Sequence, residues 1–359
     1  MSKTILVTGG GGYIGSVLTA KLLERGYRVK VLDRFFWGYE PLASLSGDLE
    51  LIRDDVRTFP GELLEGVDAV VHLAGLSNDP TAEYNPHANW EMNAVSTQRL
   101  GWLCKEYGVR RLTYGSSCSI YDGSDHSAPL DESADVRPIG AYATSKHWGE
   151  LRLQELADEN FCPIILRQGT VYGFSPRMRF DLVVNTFVKD AILHGKLFLH
   201  GGGWMWRPLV DVNDVAEAHI RAIDATDEDK LRGQVFNVIE GNYQIRQLAM
   251  LVAGSLKLRG IDVALESAPP PNGLVRNYRC SGRKFAETFG FEPSIGPLQS
   301  IETMLECLNL EDRARLSHPR HYNIQWMTIL EEASGILGTS GPYDLPQRTV
   351  PDPALALAS

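Results

Sequence analysis

The 359-residue sequence contains no apolar run near the roughly 20 residues that a membrane-spanning helix needs. It enters a β-branched run at Thr4 with no charged leader and cleavage site ahead of it, which predicts a protein retained in the cytoplasm. Positive charge is in deficit: 35 Lys and Arg stand against 45 Asp and Glu, a formal net charge of −10. Binding nucleic acid or an anionic membrane needs a clustered positive field, so neither is an expected partner. Any phosphate must be held locally, by a few Arg and backbone N–H groups. Cysteine is sparse as well. Cys104, Cys118, Cys162, Cys280 and Cys307 form no C-x-x-C spacing, which removes the usual signature of a zinc site or redox pair and fits reduced thiols. No metal is expected, and no internal repeat is apparent.

What is present is alternation. T-I-L-V-T, Y-R-V-K-V-L-D, D-A-V-V-H-L-A, R-L-T-Y-G-S-S and F-C-P-I-I-L-R read as strands, with helices over 15–25, 89–107 and 141–159 between them. Such βαβ rhythm predicts an α/β fold, a doubly wound parallel sheet covered on both faces. After Arg167 the rhythm gives way to Gly-, Pro- and aromatic-rich segments, predicting a smaller α/β lobe interleaved with the first. The expected division is 1–170 with about 207–240 for the nucleotide domain, about 171–206 with 241–337 for the substrate lobe, and 338–359 as an arm or tail. The aromatic-rich stretch 177–206 is the expected substrate wall.

The sharpest local signal is V-T-G-G-G-G-Y-I-G. Gly9, Gly12 and Gly15 form a G-x-x-G-x-x-G frame that follows the first strand and opens the first helix, with Tyr13 and Ile14 inside it as further cofactor-binding candidates. A tight turn tolerant of positive φ, close backbone approach to a pyrophosphate and a helix N-terminus aimed at the anion all call for glycine here. The next strand ends at Asp33, about 20 residues on, where a carboxylate accepts both hydroxyls of an adenosine ribose and repels a 2′-phosphate. That favours NAD over NADP, although Arg34 beside it offers a guanidinium to a 2′-phosphate. In L-I-R-D-D-V, Asp55 and Val56 are the candidate adenine contacts.

Five motifs then follow in order: the glycine frame, V-H-L-A-G at 71–75, Y-G-S-S-C-S-I-Y-D at 114–122, Y-A-T-S-K at 142–146 and L-R-Q-G-T-V-Y-G at 166–173. Together they resemble the extended short-chain dehydrogenase/reductase family, in particular its nucleotide-sugar epimerases, dehydratases and reductases, over roughly residues 3 to 310. The resemblance implies that Tyr142 exchanges a proton with a sugar hydroxyl, that Lys146 lies near the phenol and bonds the nicotinamide ribose, and that the hydroxyl of Ser117 holds the reacting oxygen. Two cations, the ammonium and the oxidised nicotinamide, would favour the phenolate. Leu73, Ala74 and Gly75 match the strand end along the cofactor, and Asn93, also counted with the cofactor-binding set, a helix position supporting the active-site backbone. Arg207 in W-R-P-L-V-D-V-N-D-V-A and Arg276 in V-R-N-Y-R match a substrate-diphosphate grip; a surface Arg is the plain alternative for each. Thr170 stands where many relatives have Asn.

Sugar 4,6-dehydratases carry Asp-Glu after the catalytic hydroxyl, whereas this chain has Cys118 and Ser119. That disfavours dehydratase chemistry and leaves Cys118 either a substrate-site thiol or a packed core residue. The leading expectation is an NAD-dependent nucleotide-sugar epimerase working through a 4-keto intermediate. A 4-keto-sugar reductase is the alternative, and a non-catalytic dinucleotide sensor a third. Relatives commonly pair the two long helices, here carrying Trp90, Leu100, Leu103, Trp148, Leu151 and Leu153, so a homodimer is expected.

Overall fold

A computed structural model describes residues 2–124, 127–269 and 276–345; the expected tail beyond 345 lies outside the described residues. Seven parallel strands make the central sheet: β1 (Thr4–Thr8), β2 (Arg28–Asp33), β3 (Leu49–Arg53), β4 (Ala69–His72), β5 (Arg111–Ser117), β6 (Cys162–Gln168) and, after three strands elsewhere, β10 (Val235–Val238). Their spatial order is β10-β6-β5-β4-β1-β2-β3. This is the Rossmann-type arrangement. Every residue of β1, β4, β6 and β10 is buried, as expected of strands covered on both faces. The edge strand β3 reads L-E-L-I-R and leaves every residue partly exposed.

The order reverses between β1 and β4, which register side by side from Ile5↔Ala69 to Thr8↔His72. Helices leave these strands toward opposite faces, so a crevice opens beyond their carboxyl ends. On one face the helices Tyr13–Glu24 and Val212–Asp224 pack together; on the other, Ser96–Glu106 packs on Gly140–Leu156. The expected single helix over 89–107 is in fact Pro86–Trp90, one wide π turn at Glu91–Val95, and Ser96–Glu106.

A smaller body carries β7 (Thr170–Tyr172), β9 (Trp206–Asp211) and β11 (Gly241–Gln244) as a three-stranded sheet. A parallel pair joins β8 (Lys196–His200) to β12 (Ala264–Ala268). One segment departs from the expected division. The helix Asn323–Leu337, placed by sequence in the substrate lobe, packs instead against Phe36 and Trp37, just past β2 in the nucleotide half.

Candidate active site

The crevice is a single long cleft whose lining runs from Asp33 and Asp55 at one end, past Gly9–Gly15 and Leu73–Gly75, to Ser117, Tyr142, Thr170 and Arg276 at the other. The glycines are required by contact. A Cβ on Gly9, whose φ is +76°, would stand 2.7 Å from the Ala74 nitrogen, and one on Gly15 would stand 2.2 Å from the Gly9 carbonyl oxygen. The helix Tyr13–Glu24 begins at this turn with no side-chain cap and no acidic residue in its first turn. Its N–H groups and positive dipole end are therefore left for an anion.

Asp33 is positioned by two backbone donors, Gly11 N at 3.0 Å and Phe35 N at 2.7 Å, one to each carboxylate oxygen. Burial raises its pKa, partly offset by those N–H groups. Each oxygen keeps a second lone pair, so the carboxylate can still accept a vicinal diol.

Asp55 does not have that capacity. One oxygen accepts Arg57 N at 2.9 Å and Arg57 Nε at 3.0 Å; the other accepts Arg57 Nη2 at 2.7 Å and Arg34 Nη1 at 3.1 Å. Its four acceptor positions are filled, which corrects its expected role as partner of the adenine amine. Val56 remains in the lining, buried and apolar. Arg34 is also committed, donating to the carbonyls of Gly341, Pro342 and Asp344 as well as to Asp55.

At the other end Tyr142, on the helix Gly140–Leu156, and Ser117, at the end of β5, line the cleft together. The Tyr142 pKa is raised, by burial first and by the Asp79 carboxylate second, while Arg276 and Arg179 pull it back. The expected depression by Lys146 is not what the structure shows. The Lys146 ammonium donates to the Gly115 carbonyl at 2.9 Å and lies over the Tyr114 ring at 4.7 Å. Burial lowers its pKa to about 8 against the opposing pull of Glu150. Beneath the pair, the buried Glu150 carboxylate takes Arg167 (Nη2 at 2.7 Å) and the Ser116 hydroxyl, clamping the helix to β5 and β6.

Two expected contacts lie behind the cleft wall. Cys118 is buried among Ile120, Tyr121 and Cys280, donates to the Arg167 carbonyl at 3.2 Å, and has its pKa pushed well up by burial. Ser117 ends β5 in the cleft lining, whereas Cys118 opens the 3₁₀ turn Cys118–Tyr121 and packs behind it, which corrects the reading of a substrate-site thiol. Asn93 sits in the π turn and donates to the Leu76 carbonyl at 2.8 Å and to Asn89 at 2.7 Å. A Cβ on Gly75 would meet its Oδ1 at 2.2 Å, so Asn93 braces the 75–76 backbone from behind and does not face the cleft.

Arg276 reaches the cleft but is engaged by two carboxylates, pairing with Asp79 and, through Nε, with Asp122 at 2.7 Å. Burial raises the Asp122 pKa to about 6 despite Arg276. Arg207 lies beyond the lining, its Nη1 donating to the Trp206 carbonyl at 3.0 Å, and its pKa is lowered by burial and by the Arg276 charge.

The model of the NAD dependent epimerase/dehydratase family matches residues 5–238, most of the chain and every strand that builds the cleft. The chain belongs to the NAD dependent epimerase/dehydratase family. Its cofactor is NAD, and the turn at Gly9–Gly15 and the half-satisfied Asp33 fit that group. Over 313 residues it is 27% identical to a UDP-glucose 4-epimerase of Corynebacterium glutamicum, covering 83% of this chain and 93% of that one. It is 30% identical to UDP-glucuronic acid decarboxylase 3 of Arabidopsis thaliana, covering 88% and 91%. The solved UDP-glucose 4-epimerase of Thermus thermophilus in complex with NAD superposes with a TM-score of 0.71 at 28% identity, covering 85% of this chain and 100% of that one. Across eight solved structures the match takes in 97–100% of each but only 84–87% of this chain.

Sequence reasoning missed three cations of this epimerase/dehydratase family member. Arg177 and Arg179 are buried in the cleft lining. Arg179 is held by Asp181 at 2.8 and 2.9 Å, whereas Arg177 lies over the Trp37 ring at 4.1 Å with its pKa lowered by burial to about 9. The signal was present in S-P-R-M-R-F-D, where two Arg alternate with apolar residues. Arg57, which shares Asp55 with Arg34, left no comparable trace in the sequence.

Among the described residues no group of His, Cys, Asp and Glu could hold a metal ion, and no helix is long and apolar enough to cross a membrane.

Proposed function

We propose that the protein is an NAD-dependent nucleotide-sugar 4-epimerase. The observation that carries this reading is the composition of the reactive end of the cleft. Tyr142 and Ser117 both line it, while the two positions after Ser117 hold Cys118 and Ser119, both buried and neither in the lining. A proton can move at the sugar hydroxyl, but those positions present no acid or base to a neighbouring carbon. Oxidation and re-reduction at one carbon need only the first.

In this reading the Gly9–Gly15 turn and the first-turn N–H groups hold the cofactor pyrophosphate, Asp33 its adenosine ribose, and Leu73–Gly75 its nicotinamide half. NAD, when bound, supplies the acceptor and donor of hydride. Tyr142 takes the proton from the sugar 4-hydroxyl and returns it, and Ser117 orients that oxygen. Lys146 fixes the Gly115 backbone, two residues before Ser117. Arg276 turns from its two carboxylates to the diphosphate, with Arg207 next to it. Thr170, at the start of β7, flanks the substrate.

The UDP-glucose 4-epimerases among the relatives support the reaction class. A homodimer fits the exposed face of the paired helices, which presents Trp102 and Leu151, 54% and 39% exposed. Leu100 and Leu153, expected on that face, are instead buried in the sheet's own core.

The test is incubation of the purified protein, with no cofactor added, with a panel of nucleoside-diphosphate sugars. Formation of the C4 epimer supports the reading. Reduction of a 4-keto sugar at the expense of added NADPH, without epimerisation, would assign the reductase instead.

A further inference from the structure

The adenosine end of the cleft is roofed by the last described part of the chain. Helix Asn323–Leu337 starts at the cleft rim, where Asn323 donates to Ser77 Oγ at 2.9 Å and accepts Arg177 Nη2 at 2.5 Å. One turn on, Met327 is fully buried; it lines the cleft and packs with Leu76 and Met92 under Phe36, Trp37 and Tyr343. Trp326 Nε1 donates to the Phe36 carbonyl at 2.7 Å. The helix ends at Gly338, with φ +64°, and the chain doubles back.

The returning turn meets two guanidinium groups. Arg34 Nη1 donates to the carbonyls of Pro342 and Asp344, both at 3.0 Å. Arg57 Nη1 donates to the Tyr343 carbonyl at 2.9 Å and Nη2 to that of Asp344 at 2.8 Å. Two cations share the single Asp55 carboxylate, so one positive charge remains, and the four carbonyl oxygens of Gly341, Pro342, Tyr343 and Asp344 answer it.

We propose that residues 323–345 are a cofactor clasp, anchored by Arg57 and Arg34, which keeps NAD in the cleft between turnovers and refuses NADP. The inference rests on the NAD cleft and deepens the epimerase reading. An epimerase returns hydride to the molecule that gave it and has no need to release its cofactor, whereas a reductase must release it every cycle. Refusal of NADP follows from donor accounting. Arg177, whose charge reaches the ribose-facing Asp33, donates through Nη2 to Asn323 of the arm, and Arg34, next to Asp33 in the sequence, has its Nη1 committed to Asp55 and to the carbonyls of Pro342 and Asp344. Turning either to a phosphate would break the clasp.

The experiment compares the full chain, a chain ending at Gly338, and Arg57→Gln. Melting curves establish folding, NADH fluorescence gives the dissociation rate, and titration gives Kd for NAD and NADP. Dissociation at least tenfold faster in both variants, with the NAD-over-NADP preference narrowed at least tenfold in the shortened chain, is the expected result. Should the shortened chain fail to fold, Arg57→Gln decides on the dissociation rate alone. A rate within twofold of the full chain in every folded variant overturns the clasp. Faster release from a protein that epimerises no nucleotide sugar would leave the clasp standing and remove the epimerase reading; unchanged release with normal epimerisation would do the reverse.

Discussion

Replacing Glu150 by Gln removes one charge and almost no volume from the helix that carries Tyr142 and Lys146. The carboxylate is fully buried and accepts Arg167 Nη2 at 2.7 Å, Arg167 Nε at 3.1 Å and the Ser116 hydroxyl, while Arg167 also donates to Tyr121 OH at 2.6 Å. Breaking a buried ion pair by removing one partner costs about 3–5 kcal/mol, because the remaining charge has no counterion. Gln keeps a neutral acceptor at the same place, so the loss falls near the lower end, about 3 kcal/mol. That is a large share of a stability of about 5–15 kcal/mol. Urea unfolding with NAD saturating, followed by both tryptophan fluorescence and circular dichroism, measures it.

The sign with pH is fixed. Burial pushes the Glu150 pKa up, but Arg167, His147 and Ser116 together hold it below the ordinary value. The pair's contribution is therefore present above the unfolded-state value of about 4.3 and is lost as pH falls through the lower folded-state value. The gap between wild type and variant should close in that window. Activity supplies a second readout. Burial holds Lys146 near 8 and Glu150 opposes that shift, so losing Glu150 moves the alkaline limb of kcat/KM to lower pH. A stability loss under about 1 kcal/mol together with an unmoved alkaline limb would refute the reasoning.

Other consequences are as direct. Tyr142→Phe should keep the fold and NAD binding and lose about 10²–10⁴ in turnover; retention of more than a tenth of wild-type activity would place the base elsewhere. Gly75→Ala, strained by φ +152° and a clash with Asn93 Oδ1, should lower the melting temperature and weaken NAD binding, as calorimetry would show. Arg276→Ala should weaken binding of the preferred nucleoside diphosphate about tenfold to a hundredfold and leave NAD binding unchanged, which titration of UDP, TDP, GDP and CDP would test. Sedimentation at micromolar concentration should give a dimer, and Trp102→Glu should give a monomer.

The strands and the glycine turn were legible because their physics is local. T-I-L-V-T must be buried on both faces wherever it lies, and Gly9 must tolerate positive φ whatever follows it. Ser117 and Tyr142 were legible only as members of ordered motifs, since nothing in either residue fixes the distance between β5 and the helix that follows. The errors came where a long-range partner decides the outcome. Asp55 sits at the expected strand end but is consumed by Arg57, two residues on, and by Arg34 from the neighbouring strand. Lys146 occupies the expected turn of the helix, and only its expected pull on the Tyr142 phenol is absent, since its ammonium answers the Gly115 carbonyl. The helix Asn323–Leu337 was placed by order along the chain, whereas its position is set by Met327 and Trp326 meeting the loop after β2.

The most direct test of the central claim uses nucleoside-diphosphate sugars carrying deuterium at C4, given to the protein as purified with no added nicotinamide. Mass spectrometry and proton NMR should find the C4 epimer with the deuterium still at C4 of the same molecule, since the hydride that leaves is the one that returns. Loss of the label from the epimerised sugar, or absence of any epimer while a 4-keto sugar is reduced by added NADPH, would contradict the account.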